Sequence, residues 1–532
     1  MSSRTEPDGG VERPLLADPQ DQDYGTQGIN GNQNELEPVA NHGTFIRNLG
    51  TLEAFAIIIS IVIGSGIFTS PGSIDSNVPS PGIALIVWLV GGVLAWTGAA
   101  TLAELGTAIP GEGGVQPYLR YIFGDVFGFL AAWTWIVAVM PATLAILSIV
   151  FIESIFTASG VTDQADRIEH KLLSVLVLII INGINSISTK VSTQLNNFFV
   201  VTKFVTIAAV VIAGIAVIIF QSLNPNRDDL GGRDWFIRNW LSYRDSLNPD
   251  GSETHWKKLN EWETLGHLST ALYGSLWAYS GWDKAIYISA EMSHPARQLP
   301  LSINTAIPTI IGSFLAINVA YYVLLPWDVV STTDSVAVTA ITRLLGFGFG
   351  IVAAILICLV VAGSLLGNSF VASRMAVAAA NMGWFPQFFA IVGHVGIKPA
   401  ASDSFEGSGD QENEASKSDA PRNALLLSTV ISALYILLGN FRALLTFNGL
   451  GEYTFFLLTV LGALVLRYRE PDLARPYKTF ILIPVIFALV SGFVVIRGAL
   501  FAPLQAAILI IVWIVGLAVY LLRKRLAGSR QT

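Results

Sequence analysis

The chain has 532 residues, 52% of them hydrophobic and only 13% charged, against roughly 25% charged in a soluble domain. So little polar surface cannot clothe a soluble protein of this length, which excludes that class. The net charge of −7 points to no acidic or basic partner, nucleic acid included: residues 1–45 hold eight acids against Arg4 and Arg13 and leave the rest of the chain close to neutral.

Residues 1–48 are rich in Gly, Asp, Gln and Asn and read as a disordered, acidic cytoplasmic tail. The first apolar block begins at about Leu52, too late for a cleavable signal peptide. Apolar blocks of bilayer-spanning length then fall at about 52–74, 83–107, 121–155, 172–189, 197–221, 265–290, 301–325, 339–381, 423–439, 443–466, 479–497 and 503–522. The fold class is therefore all-α, a polytopic membrane protein with twelve transmembrane helices and lipid as its solvent. Residues 49–525 form the membrane domain and 526–532 a short tail. A long outside loop at 222–263 carries Trp235, Trp240, Trp256 and Trp262, enough aromatic surface to pack on the bundle. Residues 398–422, rich in Ser, Gly and acids, read as a disordered cytoplasmic linker.

Twelve spans put both ends of the chain on one side of the membrane. With that side inside, eleven Lys and Arg fall in the short inside loops and C-terminal tail (Arg120, Lys190, Arg297, Arg467, Arg469, Arg475, Lys478, Arg523, Lys524, Arg525 and Arg530). Four fall outside (Arg167, Lys171, Arg442 and Arg497). That bias orients both termini to the cytoplasm. The six His lack metal-ligand spacing, and Cys358, the one cysteine, sits in an apolar helix. No metal, no cofactor and no internal disulfide are expected.

Two spans are interrupted. The first reads Ile63-Gly64-Ser65-Gly66-Ile67-Phe68, then Ser70-Pro71-Gly72; the sixth reads Ser275-Leu276-Trp277-Ala278-Tyr279-Ser280-Gly281-Trp282-Asp283-Lys284. Gly and Ser at mid-membrane depth leave backbone groups unpaired, which lipid tolerates only inside protein or beside a wet cavity. A Gly-rich packing seam is the plainer explanation of either break alone. Spans one and six, however, open two five-helix halves (about 51–222 and 264–466), with two more helices at about 478–523. Breaks at matching places of inverted repeats point to a transport site. Free amides there suit a carboxylate and free carbonyls an ammonium.

Lys203 lies in the fifth span and has two readings. A buried lysine is costly and functional by default; but about six residues, roughly 9 Å, into its span, its stem could also snorkel to the interface. Glu104, Glu291, Arg297 and Arg374 sit at helix ends, where solvation is expected and gate-like ion pairs are the alternative. Asp283 and Lys284 are adjacent and so point to different helix faces, and Asp283 is a candidate for lining the cavity. The spans show no convergent cluster of His, Cys or carboxylates, so no catalytic residues are assigned and a membrane enzyme is not expected. Nor is there a repeated pore ring of the kind a channel needs.

These stretches resemble a known family. Ile63 to Phe68 with Pro71 resembles the first-helix signature of the amino acid–polyamine–organocation superfamily. Ala103-Glu104-Leu105-Gly106-Thr107, Gly113-Gly114 with Tyr118-Leu119, Trp277 to Trp282, Pro295 to Pro300, Asn368 to Arg374, and Leu466 to Arg469 with Arg475 to Lys478 narrow the resemblance to the L-type amino acid transporter family. It covers about residues 50–525 and implies a LeuT-like five-plus-five inverted-repeat bundle with broken helices one and six. It further implies that Ile63, Gly64, Ser65, Gly66 and Ile67 hold the substrate carboxylate and that Trp277, Ala278, Tyr279, Ser280 and Gly281 hold the ammonium. Trp277 would be the aromatic gate, Lys203 a stand-in for the sodium of sodium-coupled relatives or a proton-linked group, and Asn368 a pathway-lining residue. Family members in animals join a heavy chain through a cysteine between spans three and four; that loop has none here, so no disulfide-linked heavy chain is expected. The acidic tail, the long loop and the missing cysteine resemble fungal members, methionine permeases among them.

Where an Asp at 280 would pair a cationic side chain, this chain has Ser280, which favours neutral, fairly large substrates. The expected function is sodium-independent transport of neutral L-amino acids, methionine- or leucine-like, by alternating access. The alternative is a cationic amino acid or polyamine permease, favoured if an acid faces the pocket. The plasma membrane is the expected location, with the vacuolar or lysosomal membrane as alternative, because Glu12-Arg13-Pro14-Leu15-Leu16 resembles a dileucine sorting signal.

Overall fold

The computed structural model describes residues 49–109, 114–159, 167–187, 189–224, 231–248, 252–333, 336–392, 420–439 and 441–528. The acidic tail, the dileucine motif and nearly all of the 398–422 linker lie outside these residues.

The helices are, in order, α1 (Thr51–Val62), α2 (Gly66–Asp75), α3 (Pro81–Ala108), α4 (Val115–Phe123), α5 (Asp125–Thr134), α6 (Met140–Ala158), α7 (Ile168–Ile187), α8 (Thr189–Leu223), α9 (Asp234–Ile237), α10 (Glu261–Ala278), α11 (Pro295–Leu324), α12 (Trp327–Thr332), α13 (Val336–Leu345), α14 (Phe347–Asn381), α15 (Arg422–Leu438), α16 (Phe441–Arg469), α17 (Leu482–Phe501) and α18 (Pro503–Gly528). Among the described residues nine helices are long and apolar enough to cross a membrane, and α1 with α2, bent by 44° at their break, make a tenth. The 17-residue α15 and α10, continued by a 3-10 turn at Trp282–Glu291, bring the segments to twelve.

Local chemistry sets several of these boundaries. Ser80 caps α3 by accepting from the Ile83 amide at 3.3 Å, with Pro81 following at the position where a missing N–H costs nothing. Asn260 and Glu263 form a reciprocal capping box at α10, at 2.8 and 3.0 Å. Between α5 and α6 the helix opens into one π turn, Trp135–Val139. Pro141 has no N–H to give the Val137 carbonyl four residues back, and the Tyr435 hydroxyl donates to that carbonyl instead, at 2.9 Å.

The order of elements repeats. A broken helix is followed by a long one, then by a short helix ending at a glycine, then by a long inner helix and two more. Gly124 (φ 99°, ψ 171°) separates α4 from α5, and Gly346 (φ 93°, ψ 171°) separates α13 from α14. The blocks at 121–155 and 339–381 thus each join part of a short separate helix to a true span, since glycine at positive φ turns the chain without interrupting the apolar run. The boundary between spans four and five also moves. The polar stretch Thr189–Asn197 is helical and belongs to α8.

On the face where α9 lies, the long loop seals the bundle. Trp240 packs edge-on against Tyr322 and Trp327, each with centroids 5.9 Å apart. The buried Trp256 donates to Ser246 Oγ at 2.9 Å within a two-strand hairpin, Ser246–Leu247 with Glu253–Thr254. Trp262 stays 79% exposed, so three of the four tryptophans pack. Arg244 ties the loop down: its guanidinium binds buried Asp75 at the end of α2 and reaches Asp328 at 3.2 Å, while Tyr322 donates to Asp75 at 2.6 Å. Breaking a buried pair by removing one member costs about 3–5 kcal/mol. Arg244→Ala is therefore expected to lower the thermal midpoint of the purified protein clearly, and Trp262→Ala to leave it unchanged. Equal midpoints in a thermal-unfolding assay would refute this account of the loop.

Candidate functional site

The two breaks face each other. The first half of span one, α1, packs against the 3-10 half of span six, and α2 packs against α10; the interrupted helices therefore run antiparallel, side by side. Gly66 makes this approach possible, since a Cβ there would stand 2.5 Å from Ala278 Cα and 3.0 Å from its Cβ. Gly281 turns the chain at φ 102° and would press a Cβ to 2.5 Å from Ile61 Cγ2.

The end of α1 leaves four carbonyls without helical donors, and each is satisfied. Ile59 receives the Ile63 amide at 3.0 Å and Val62 the Gly64 amide at 2.8 Å. Ile61 receives the Ser364 hydroxyl at 2.9 Å, and the Lys203 ammonium donates to Ser60. Ser60 Oγ in turn donates to the Gly363 carbonyl at 3.1 Å. Lys203 is completely buried, fourteen residues beyond the start of α8, or about 21 Å along the helix. It does not snorkel; the helix begins earlier than the sequence suggested, so the stem is too deep to reach the interface.

The start of α2 has the opposite need. Phe68 and Thr69 donate to the Ser65 carbonyl at 2.9 and 3.0 Å, and the amides of Ser65, Gly66 and Ile67 find no acceptor among the described residues. Across the gap, the carbonyls of Ala278 and Ser280 receive no hydrogen bond from the described residues. Between the two lies a small cavity.

Of the residues singled out in the sequence, Gly64, Ser65, Gly66, Trp277, Ala278, Ser280, Gly281 and Asn368 line this cavity. Trp277 is half-buried at its wall. Ile63 and Ile67 are fully buried outside the lining, and Tyr279 turns away to pack on Phe314 at 4.7 Å. Asp283 also lies outside it.

The structure adds Thr143, Leu147, Ser364, Lys284 and Glu452 to the lining. Contrary to expectation, the spans do hold a charged cluster. Lys284 Nζ lies 2.9 Å from Asp283 Oδ2 and 3.2 Å from Glu452 Oε1, and Ser280 Oγ donates to Glu452 Oε2 at 3.3 Å. Asp283 and Lys284 meet although adjacent, because the 3-10 turn and the long lysine stem bring the two side chains together. Glu452 was legible as an acid in mid-span, but its partner is 168 residues away.

The helix-end charges are paired rather than solvated. Buried Glu104 accepts from Arg467 Nε at 2.9 Å and from the Thr479 amide and hydroxyl at 2.9 and 2.8 Å. Glu291 binds Arg374 at 3.0 Å. Arg297 is exposed as expected.

Residues 49–520 match the family described as "Amino acid permease". The chain belongs to that family. It is 28% identical to the b(0,+)-type amino acid transporter 1 of Homo sapiens over 457 residues, 86% of this chain and 83% of that one. It is 28% identical to the Asc-type amino acid transporter 1 of Mus musculus over 476 residues, 90% and 81% of the two chains. With the large neutral amino acids transporter small subunit 2 of Homo sapiens it shares 27% over 496 residues, 92% and 84%. The permease is thus a multi-pass membrane transporter of amino acids, in the L-type branch of the amino acid–polyamine–organocation superfamily, and not an enzyme.

In this permease Gly66→Ala forces the two breaks apart. Amino acid uptake into proteoliposomes is expected to fall at least about tenfold, the effect of roughly 1.4 kcal/mol on the transport barrier. Gly183→Ala, at a glycine of α7 with nothing within 4 Å, is the control expected to transport normally. A fully active Gly66→Ala protein would show that the close approach is dispensable.

Proposed function

We propose that this permease moves neutral, fairly large L-amino acids without sodium, by alternating access around the cavity between the two breaks. One observation carries the reading: unpaired amides at the start of α2 stand across a cavity from unpaired carbonyls after α10. The amides and the positive helix end suit the α-carboxylate, and the carbonyls suit the α-ammonium. Trp277 would close over the substrate, and Asn368 would line its path.

Lys203 supports sodium independence. Its ammonium already supplies positive charge to the orphan Ser60 carbonyl, the job a bound cation would do. Removing it would strand a carbonyl in the protein interior, at a cost of several kcal/mol.

Glu452 favours the second reading, a cationic amino acid or polyamine permease, because an acid does line the cavity. Both of its oxygens, however, are already engaged by Lys284 and Ser280, which leaves less for a substrate cation and keeps the neutral reading first. Methionine, the substrate of the fungal relatives the sequence resembles, is the natural first probe. In the cell we place the protein in the plasma membrane, the vacuolar or lysosomal membrane being the alternative, with both termini cytoplasmic. We also propose that it works without a disulfide-linked heavy chain, since its one cysteine, Cys358, is buried in α14.

The test is uptake by the purified protein alone in sodium-free proteoliposomes. Labelled methionine and leucine are expected to enter in preference to lysine, and Lys203→Ala is expected to bring uptake to background. A strict sodium requirement would remove the role given to Lys203, and preferential lysine uptake would hand the site to the second reading.

A further inference from the structure

Five carboxylates are buried among the described residues: Asp75, Glu104, Asp283, Glu291 and Glu452. Three of them are each bound by a guanidinium, from Arg244 (which also reaches the exposed Asp328), Arg467 (with Arg475 at 3.7 Å) and Arg374. Asp283 and Glu452 share a single ammonium, that of Lys284. With every group ionised the trio carries one negative charge in excess, inside the membrane, at side-chain exposures of 1–4%. A staple between span six and α16 would need only one acid and one base. The second acid is therefore unexplained by structure alone, and an uncompensated buried charge is strongly unfavourable. One oxygen of the trio, Asp283 Oδ1, is buried without a hydrogen-bond partner.

We propose that the Asp283–Lys284–Glu452 cluster carries one proton with each substrate molecule, which makes the permease a proton-coupled symporter. This inference rests on the transport reading above and deepens it. The proton adds to a carboxylate oxygen, forming one O–H bond and bringing the cluster from −1 to neutral; it leaves by breaking that bond on the other side of the membrane. Glu452 is the point of access because it lines the cavity that also admits substrate.

Ser280 links the proton to the substrate. With Glu452 ionised, the Ser280 hydroxyl donates to it at 3.3 Å. A proton on that oxygen reverses the bond, so Glu452 donates to Ser280, whose own hydrogen turns free beside the cavity carbonyls. Among the described residues the other titratable groups within electrostatic reach of the two acids are tyrosines, Tyr287 and Tyr453. These are neutral at physiological pH, so the two acids and Lys284 set the charge.

The experiment uses the full-length protein in proteoliposomes loaded with a pH-sensitive dye and unlabelled methionine. Labelled methionine counterflow, with no gradient, reads transport itself; lumenal acidification on adding methionine outside empty vesicles reads the proton. The wild type is expected to show both, at about one proton per methionine, the single excess charge of the cluster. Glu452→Gln makes the cluster neutral without a proton, so the proton-to-methionine ratio falls to near zero while counterflow, though slower, remains measurable. Asp283→Asn removes the same charge from the other side and is expected to do the same, which covers the case in which the first variant does not fold. Counterflow without acidification in the wild type would overturn the coupling and leave the transport reading intact. Undiminished acidification in both variants would also overturn it, and would direct attention to Lys203. Absence of counterflow for methionine, leucine and lysine alike would sink the substrate reading and the coupling with it.

Discussion

Lipid offers no hydrogen bonds, so a chain can be interrupted in mid-membrane only if protein supplies every donor and acceptor the interruption exposes. That constraint explains the centre of this molecule. At the end of α1, two carbonyls are answered by nearby amides, one by Ser364 and one by Lys203. Lys203 and Ser364 come from α8 and α14, members of opposite halves, so the broken helix holds both repeats around it. The groups left without partners are the amides opening α2 and the carbonyls after α10. Of the residues that carry them, Ser65, Gly66, Ala278 and Ser280 line the cavity.

The remaining charges sort by depth. Near the start of α1, Glu104 and Glu291 are clamped to arginines from α16, its following loop, and α14; on the opposite face Asp75 is clamped to Arg244. Buried pairs of this sort contribute little net stability over apolar packing but are costly to break singly. They specify one arrangement of the helices rather than strengthening it. Between them, the Lys284 cluster sets two buried acids against a single buried base.

Much of this was legible in the sequence, for identifiable reasons. The breaks in spans one and six show because Gly and Ser cluster where Leu and Ile otherwise run. The inner faces of α4 and α13 do not show, because their apolar residues continue into the next span and only Gly124 and Gly346 mark the joint. Lys203 was assigned too shallow a depth because Thr189–Asn197 is polar yet helical, being packed against other helices rather than lipid for part of its circumference; Ser192 and Asn196 are buried. The pairing of Lys284 with Glu452 joins two distant spans, and no spacing along one chain can reveal it. Ile63, Ile67 and Tyr279 belong to the breaks by position, but their side chains serve packing.

The loop that seals the α9 face is held by an arginine between two acids and by three packed tryptophans, with no sulfur involved. The chain's one thiol, Cys358, is buried within a helix. Oxidising and reducing surroundings therefore present this protein with the same fold. Its outer covering does not come loose when glutathione is abundant, nor does it wait on an oxidase to be fastened, and the permease is chemically fit for membranes on either side of the cell's redox divide.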